Sequence, residues 1–203
     1  MMAHIYAQFA RPHGPLGALA GFVMSHRPSN LARNRWTVEL VAPNEAARAL
    51  EIGCGPGLAL SDMCERAPRG LIVGLDHSAL MLKQAAKRNR RAIEKGLLQL
   101  HLGGIDAPPS LSGDFDVVYS VNVAMFWKDR TAALIAIRAV MRPGGLLATT
   151  HQPRHAGAKS ADALNFTERF SDELRETGFT QVRSEQLALH PVPAVCVLAR
   201  RAE

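Results

Sequence analysis

Short aliphatic runs alternate along this chain with longer stretches in which apolar residues recur every three or four positions. Ala49-Leu50-Glu51-Ile52 and Gly70-Leu71-Ile72-Val73-Gly74-Leu75-Asp76 read as buried strands. Leu97 to Leu102, Asp114 to Val123 and Leu146 to Thr150 read as three more. Helical spacing fills the gaps. It covers Leu58 to Cys64, a helix opened by Ser78 with Leu82, Ala85 and Ala86 on its inner face, and Ala132 to Val140. A further helix includes Phe166 to Leu174 and ends at Gly178. Two last strands, Thr180 to Leu189 and Ala194 to Arg200, are linked through Pro191 and Pro193. Strand and helix in alternation predict an α/β protein.

Upstream of the first strand the period is purely helical. Residues 1–14 show no period, but Leu16, Leu19, Ala20, Val23 and Met24 form one apolar stripe from Pro15 onward, ended by Pro28. Ser29 is placed to cap a second helix carrying Leu31, Trp36, Leu40 and Val41, closed by Pro43-Asn44. Trp36 reads as core. We therefore divide the chain into a helical segment, 1–44, that covers the sheet edge or roofs the site, and an α/β domain, 45–203.

The first strand–helix junction carries the chemistry. Glu51-Ile52-Gly53-Cys54-Gly55-Pro56-Gly57 sets three glycines at alternate positions between strand and helix. Glycine permits the tight turn and lets a ligand approach the backbone with no Cβ in the way. A nucleotide-like ligand binds at such a turn in α/β proteins. The dinucleotide pattern G-x-G-x-x-G fails here: counted from Gly53 the sixth residue is Leu58, and from Gly55 it is Leu60. Glu51 would repel a pyrophosphate but suits a cation. S-adenosylmethionine (SAM) carries a sulfonium and an ammonium and no phosphate. Glu51 to Gly57 matches E/D-x-G-x-G-x-G without departure and closely resembles the first motif of class I SAM-dependent methyltransferases. A glycine turn serving only the backbone is the plain structural alternative. A nicotinamide-dependent Rossmann oxidoreductase is disfavoured by the same spacing. A SAM-binding regulatory module without turnover would carry the same cofactor residues.

The resemblance extends over about residues 45–200 and implies further roles. Asp76 stands 19 positions past Gly57, near the distance at which a second-strand acid meets a ribose. Its carboxylate would accept hydrogen bonds from both ribose hydroxyls, with His77 beside it and Met81 at the adenine edge. Ile105-Asp106-Ala107 is similar to the family's third motif, in which an acid meets the adenine amino group. Phe115-Asp116-Val117-Val118 is characteristic of the fourth strand. Ser120-Val121-Asn122 would then line the cofactor pocket beside Gly53, Cys54, Gly55 and Gly57, and Met125-Phe126-Trp127 the acceptor side. Arg142-Pro143-Gly144-Gly145 resembles the family's tight turn into the fifth strand. The family fold is a Rossmann-like, seven-stranded mixed sheet in the order 3-2-1-4-5-7-6, its last strand antiparallel, flanked by helices. The implied reaction is an in-line methyl displacement, for which the enzyme mainly aligns the acceptor and excludes water. His151, ending the fifth strand, is the candidate for a general base. The overall pattern is most like small-molecule methyltransferases that act on quinone precursors and other metabolites.

Composition narrows the partners. At 203 residues with 47% hydrophobic and 21% charged residues, the chain has a core and does not read as disordered. The charge of +6 is a mild basic bias, concentrated at Lys83, Lys87, Arg88, Arg90, Arg91 and Lys95 against Glu94. We read that helix as a solvated face, because no aromatics interleave its bases. The chain also lacks an N-P-P-Y segment and a Pro-Cys nucleophile, so nucleic acid is not an expected partner. A small-molecule acceptor is, together with a second copy of the chain in a homodimer. Cys54, Cys64 and Cys196 fit neither a disulfide framework nor a zinc site, and no metal is expected. With no signal peptide and no run near the roughly 18 apolar residues of a membrane span, the expected location is the cytoplasm.

Overall fold

The computed structural model describes residues 26–105, 111 and 113–203. The helix expected from Pro15 lies outside these residues, as do Asp106 and Ala107. Seven strands form one sheet: β1 (Arg48–Ile52), β2 (Leu71–Asp76), β3 (Leu98–Leu102), β4 (Phe115–Val121), β5 (Met141–His151), β6 (Phe179–Leu187) and β7 (Ala194–Arg201). Their order is β3-β2-β1-β4-β5-β7-β6. The first five strands are parallel, and β7 runs antiparallel to both neighbours. This is the order the family resemblance implies. The reversal at β7 follows from the short β6–β7 link, since a parallel strand needs a crossover of a dozen or more residues.

Side-chain alternation sorts the core into two layers. Leu50, Ile52, Val73, Leu75, Val118 and Leu147 face α5 (Arg130–Val140) and α6 (Ser160–Glu176), packing on Leu134, Ile137, Phe170 and Leu174. Ala49, Ile72, Val117, Tyr119 and Ala148 face the opposite layer. That layer holds α1 (Pro28–Val41), α2 (Leu58–Arg66), α3 (Ala79–Arg88) and α4 (Arg90–Glu94). Strands buried on both faces account for the near-continuous aliphatic runs in the sequence. Trp36 packs against this second cluster. Among the described residues no helix is long and apolar enough to cross a membrane.

Three expectations need adjustment. Pro28 stands at the first turn of α1, where its missing N–H costs nothing, and Ser29 lies inside the helix rather than capping it. The basic helix breaks at Asn89, whose amide Nδ2 donates to the Ala85 carbonyl (3.0 Å) and closes α3. Arg142-Pro143-Gly144-Gly145 is an irregularity within β5 and not a turn before it: Phe115 pairs with Met141, yet Val117 pairs with Leu146. Proline is tolerated within a sheet at such a bulge. Asp116 secures this end, accepting from the Arg48 N–H (2.7 Å) and pairing with Arg142 Nε (2.7 Å). It lies at the N-terminal edge of the sheet, opposite the carboxyl ends of the strands at which open α/β sheets bind ligands.

Candidate active site

The glycine turn leaves β1 at the point where the sheet order reverses, between β1 and β4, with β2 on its other side. Gly53 and Cys54 donate their N–H groups to the Leu75 carbonyl (2.7 and 3.1 Å), and Gly57 donates to Cys54 (3.0 Å). All three glycines have left-handed φ, +68°, +51° and +77°. Their reasons differ. A Cβ on Gly53 would stand 2.5 Å from a Val123 methyl, and one on Gly57 would stand 2.6 Å from Asn89 Nδ2 and 2.9 Å from Ala85 Cβ. A Cβ on Gly55 would meet nothing within 4 Å. Packing therefore explains two of the glycines, while the third borders open space. Asn89 ties the turn to α3: its Nδ2 donates to the Gly57 carbonyl (3.0 Å), and Ser61 Oγ donates to its Oδ1 (2.6 Å).

Asp76 ends β2 directly beside this turn. Its Oδ2 accepts the Gly55 N–H and its Oδ1 the Ser78 N–H, both at 2.8 Å. Ser78 in turn caps α3 through Met81 N (3.4 Å). Burial raises the Asp76 pKa, while the two backbone N–H groups and neighbouring His77 oppose the rise. Each carboxylate oxygen keeps acceptor capacity beyond its backbone bond, so the residues present fit a ribose diol. Glu51 is placed differently. It is 1% exposed, beneath the turn, and its Oε2 accepts from the Tyr119 hydroxyl (3.2 Å). Burial pushes its pKa well above the carboxylate range; the Tyr119 bond opposes this, and the negative charges of Asp76 and Asp62 add to it. The Cys54 thiol is likewise buried and pushed far up. Met81 and Ile105 are buried, Ile105 within the core cluster, and His77 is exposed.

The other wall is formed by the ends of β4 and β5. Ser120 is buried and donates to Thr149 Oγ1 (3.4 Å), and Val121 is half-buried. Asn122 has φ +57°, a left-handed value that asparagine tolerates better than most residues. Its N–H donates to the Thr150 carbonyl (2.8 Å). Its side chain then clasps the Gln152 backbone, Oδ1 accepting from N (2.8 Å) and Nδ2 donating to O (3.2 Å). On the α1 side the Thr37 and Thr150 hydroxyls are 2.6 Å apart. His151 is 9% exposed and its ring lies 4.2 Å from the Phe166 centroid. Burial, with Arg33 and His155 nearby, lowers its pKa to about 4, so it is neutral at pH 7. Trp127 packs inward toward Phe170 (6.3 Å), whereas Met125 and Phe126 are 40% and 44% exposed at the same end.

A methyltransferase-domain family model matches residues 50–147. The chain is 31% identical over 183 residues to the uncharacterized methyltransferase YdaC of Bacillus subtilis, covering 90% of this chain and 98% of that protein. It belongs to the class I SAM-dependent methyltransferases. The enzyme is also 32% identical over 143 residues to the trans-aconitate 2-methyltransferase of Deinococcus radiodurans, covering 70% of this chain and 51% of that one. Its fold is shared by the N-methyltransferase NodS of Bradyrhizobium japonicum, solved with S-adenosylhomocysteine (SAH), at TM-score 0.69 and 19% identity over 89% of this chain and 91% of that one. Within this methyltransferase, the motif residues Gly53 to Gly57 and Asp76 converge at one end of the sheet. Tyr119, Asn89, Arg33 and Gln152 join the site without any motif to announce them. Tyr119 lies within a strand and Asn89 within a basic helical stretch, and neither type of position signals a site. For Arg33 a signal exists: it lies in a stretch, residues 1–38, with no Asp or Glu.

Proposed function

We propose that this methyltransferase acts on a small-molecule acceptor seated across the C-terminal ends of β4 and β5, in the reducing cytoplasm. The observation that carries the reading is the open space at Gly55, bordered by a carboxylate that already holds the turn. Gly55 admits the cosubstrate, Asp76 receives its ribose, and the Asn122 clasp fixes the two strand ends against which the acceptor aligns. SAM supplies the electrophilic methyl carbon. His151 is uncharged at neutral pH and can hold a proton, but a pKa of about 4 makes it a weak base. That suits an acceptor that gives up its proton easily. Three buried, free cysteines suit a reducing compartment.

The test is titration of the protein with SAM, SAH, NAD and NADP, followed by SAH release across a library of small acceptors. SAM and SAH binding with turnover of at least one acceptor is the expected result. Tighter NAD or NADP than SAM binding would overturn the cofactor reading, and SAM binding without any turnover would favour a non-catalytic module.

A further inference from the structure

Two guanidinium groups converge on one neutral oxygen at the C-terminal end of β5. Arg33, on α1, is 4% exposed. Its Nη1 donates to Gln152 Oε1 and its Nη2 to Asn30 Oδ1 (2.7 Å), while its Nε, also buried, has no hydrogen-bond partner. Arg154, half-buried, donates from Nη1 to the same Gln152 Oε1 (3.1 Å) and to Ser29 Oγ (3.2 Å). Gln152 cannot move aside. It is wholly buried, its Nε2 donates to the Val192 carbonyl (2.8 Å), and its backbone is gripped by Asn122.

Arg33 forms no ion pair among the described residues. A carboxylate on this side, Asp162, pairs with His155 and not with Arg33. Residues 1–38, 152–159 and 188–194 contain no Asp or Glu, whereas Arg27, His26, His151 and His155 lie among or beside them. An amide oxygen does not neutralise a buried cation, and an uncompensated one is costly. The strain appears in the chemistry of Arg33, whose pKa falls to about 9 through burial first, then the charges of Arg154 and Arg27.

We propose that Arg33 and Arg154 form the seat for a carboxylate carried by the methyl acceptor, beside His151 at the end of β5. The planar fork of arginine matches a carboxylate in two parallel bonds, and the unpartnered Nε provides one donor of such a pair. This rests on the acceptor-end reading given above. SAM also carries a carboxylate, but its glycine turn leaves β1, two strands from β5. That is roughly 10 Å at ordinary strand spacing. The arginines therefore lie on the acceptor's side.

The test uses the full chain saturated with SAH, and titrates benzoate and succinate against benzamide and succinamide. Wild type is expected to bind each acid about 10-fold or more tighter than its amide, the range of a charge-assisted hydrogen bond. Arg154→Gln, at a half-buried position, should bring that ratio to within about 2-fold with SAH affinity unchanged. Arg33→Lys should weaken the acids as well, because the charge is kept and the fork is lost; circular dichroism confirms its fold. Equal binding of acids and amides by wild type overturns the proposal, as does an unchanged ratio in Arg154→Gln. An equal drop in SAH affinity in Arg154→Gln would assign the carboxylate to the cosubstrate and overturn it too. Failure of wild type to bind SAH would defeat the functional reading instead, and the acid-to-amide ratio would then be read on the unliganded protein.

Discussion

On the side of the cleft formed by the glycine turn, the turn itself is held by backbone groups, the strand-end carboxylate of Asp76 and the Asn89 amide, all within residues 53–89. On the acceptor side the contacts are made by long side chains from distant parts of the chain. Arg33 meets Gln152 across 119 positions, and Gln152 meets Val192 across 40. On the proposed reading the first wall receives SAM, which every family member shares, and a local turn suffices for it. On the same reading the second wall receives the acceptor, and it needs the finished fold. If the division holds, a few side chains of one half can be changed without disturbing the other.

The sharpest way to break this division is at the glycines. Gly55→Val should reduce SAH affinity by roughly 100-fold or more, because the new side chain would fill the space that packing leaves open at this turn; the αL penalty of about 1–2 kcal/mol leaves a folded protein. Gly53→Val should instead fail to fold, since its Cβ would overlap Val123. Calorimetric titration and thermal melts read the two outcomes. Normal SAH affinity in folded Gly55→Val would remove the cofactor from this turn.

A smaller effect is expected on the other wall. Asn122→Ala loses two hydrogen bonds to Gln152 and places alanine at positive φ, for roughly 2–4 kcal/mol of stability by urea unfolding. SAH affinity should stay within about 3-fold, because the Asn122 amide is spent on the Gln152 backbone and not on the cofactor pocket where the family resemblance places this residue. A parallel collapse of SAH binding in the folded variant would show that the walls are not separable.

The smallest change sharpens the electrostatics beneath the turn. Glu51 has a folded pKa well above its unfolded value, so the native state holds its proton more tightly. Stability is therefore lost as pH rises from about 4.3 toward the folded value, and the loss is complete above it. Glu51→Gln keeps an acceptor for Tyr119 and removes the titration. It should leave the melting temperature unchanged near pH 4 and raise it at pH 8. A variant less stable than wild type at pH 8 would mean that Glu51 is ionised and held by a partner.

Legibility in the sequence followed the same divide. The strand order's alternating β and α pattern, the turn at Gly53 to Gly57 and the acid at Asp76 were readable because each depends on neighbours within one strand–turn–helix unit. Glu51 was readable as a motif residue, but not its placement beneath the turn. That depends on which face of β1 it occupies and on Tyr119, 68 positions away. Arg142 to Gly145 looked like a turn because proline and glycine usually make one; pairing with β4 continues on both sides of it and keeps it within the strand. Nothing in the helical spacing from Leu31 to Val41 distinguishes Arg33 from other polar positions. Only the arrival of β5 and the β6–β7 link beside α1 turns it into a buried cation.

The two backbone bonds to Asp76 have a consequence for how the cosubstrate arrives. The loop that receives it is fastened at Gly55 and Ser78 before any ligand is present. Entropy that a floppy loop would surrender on association has already been lost during folding. On the proposed reading, cosubstrate and spent product exchange over a floor that is already fastened.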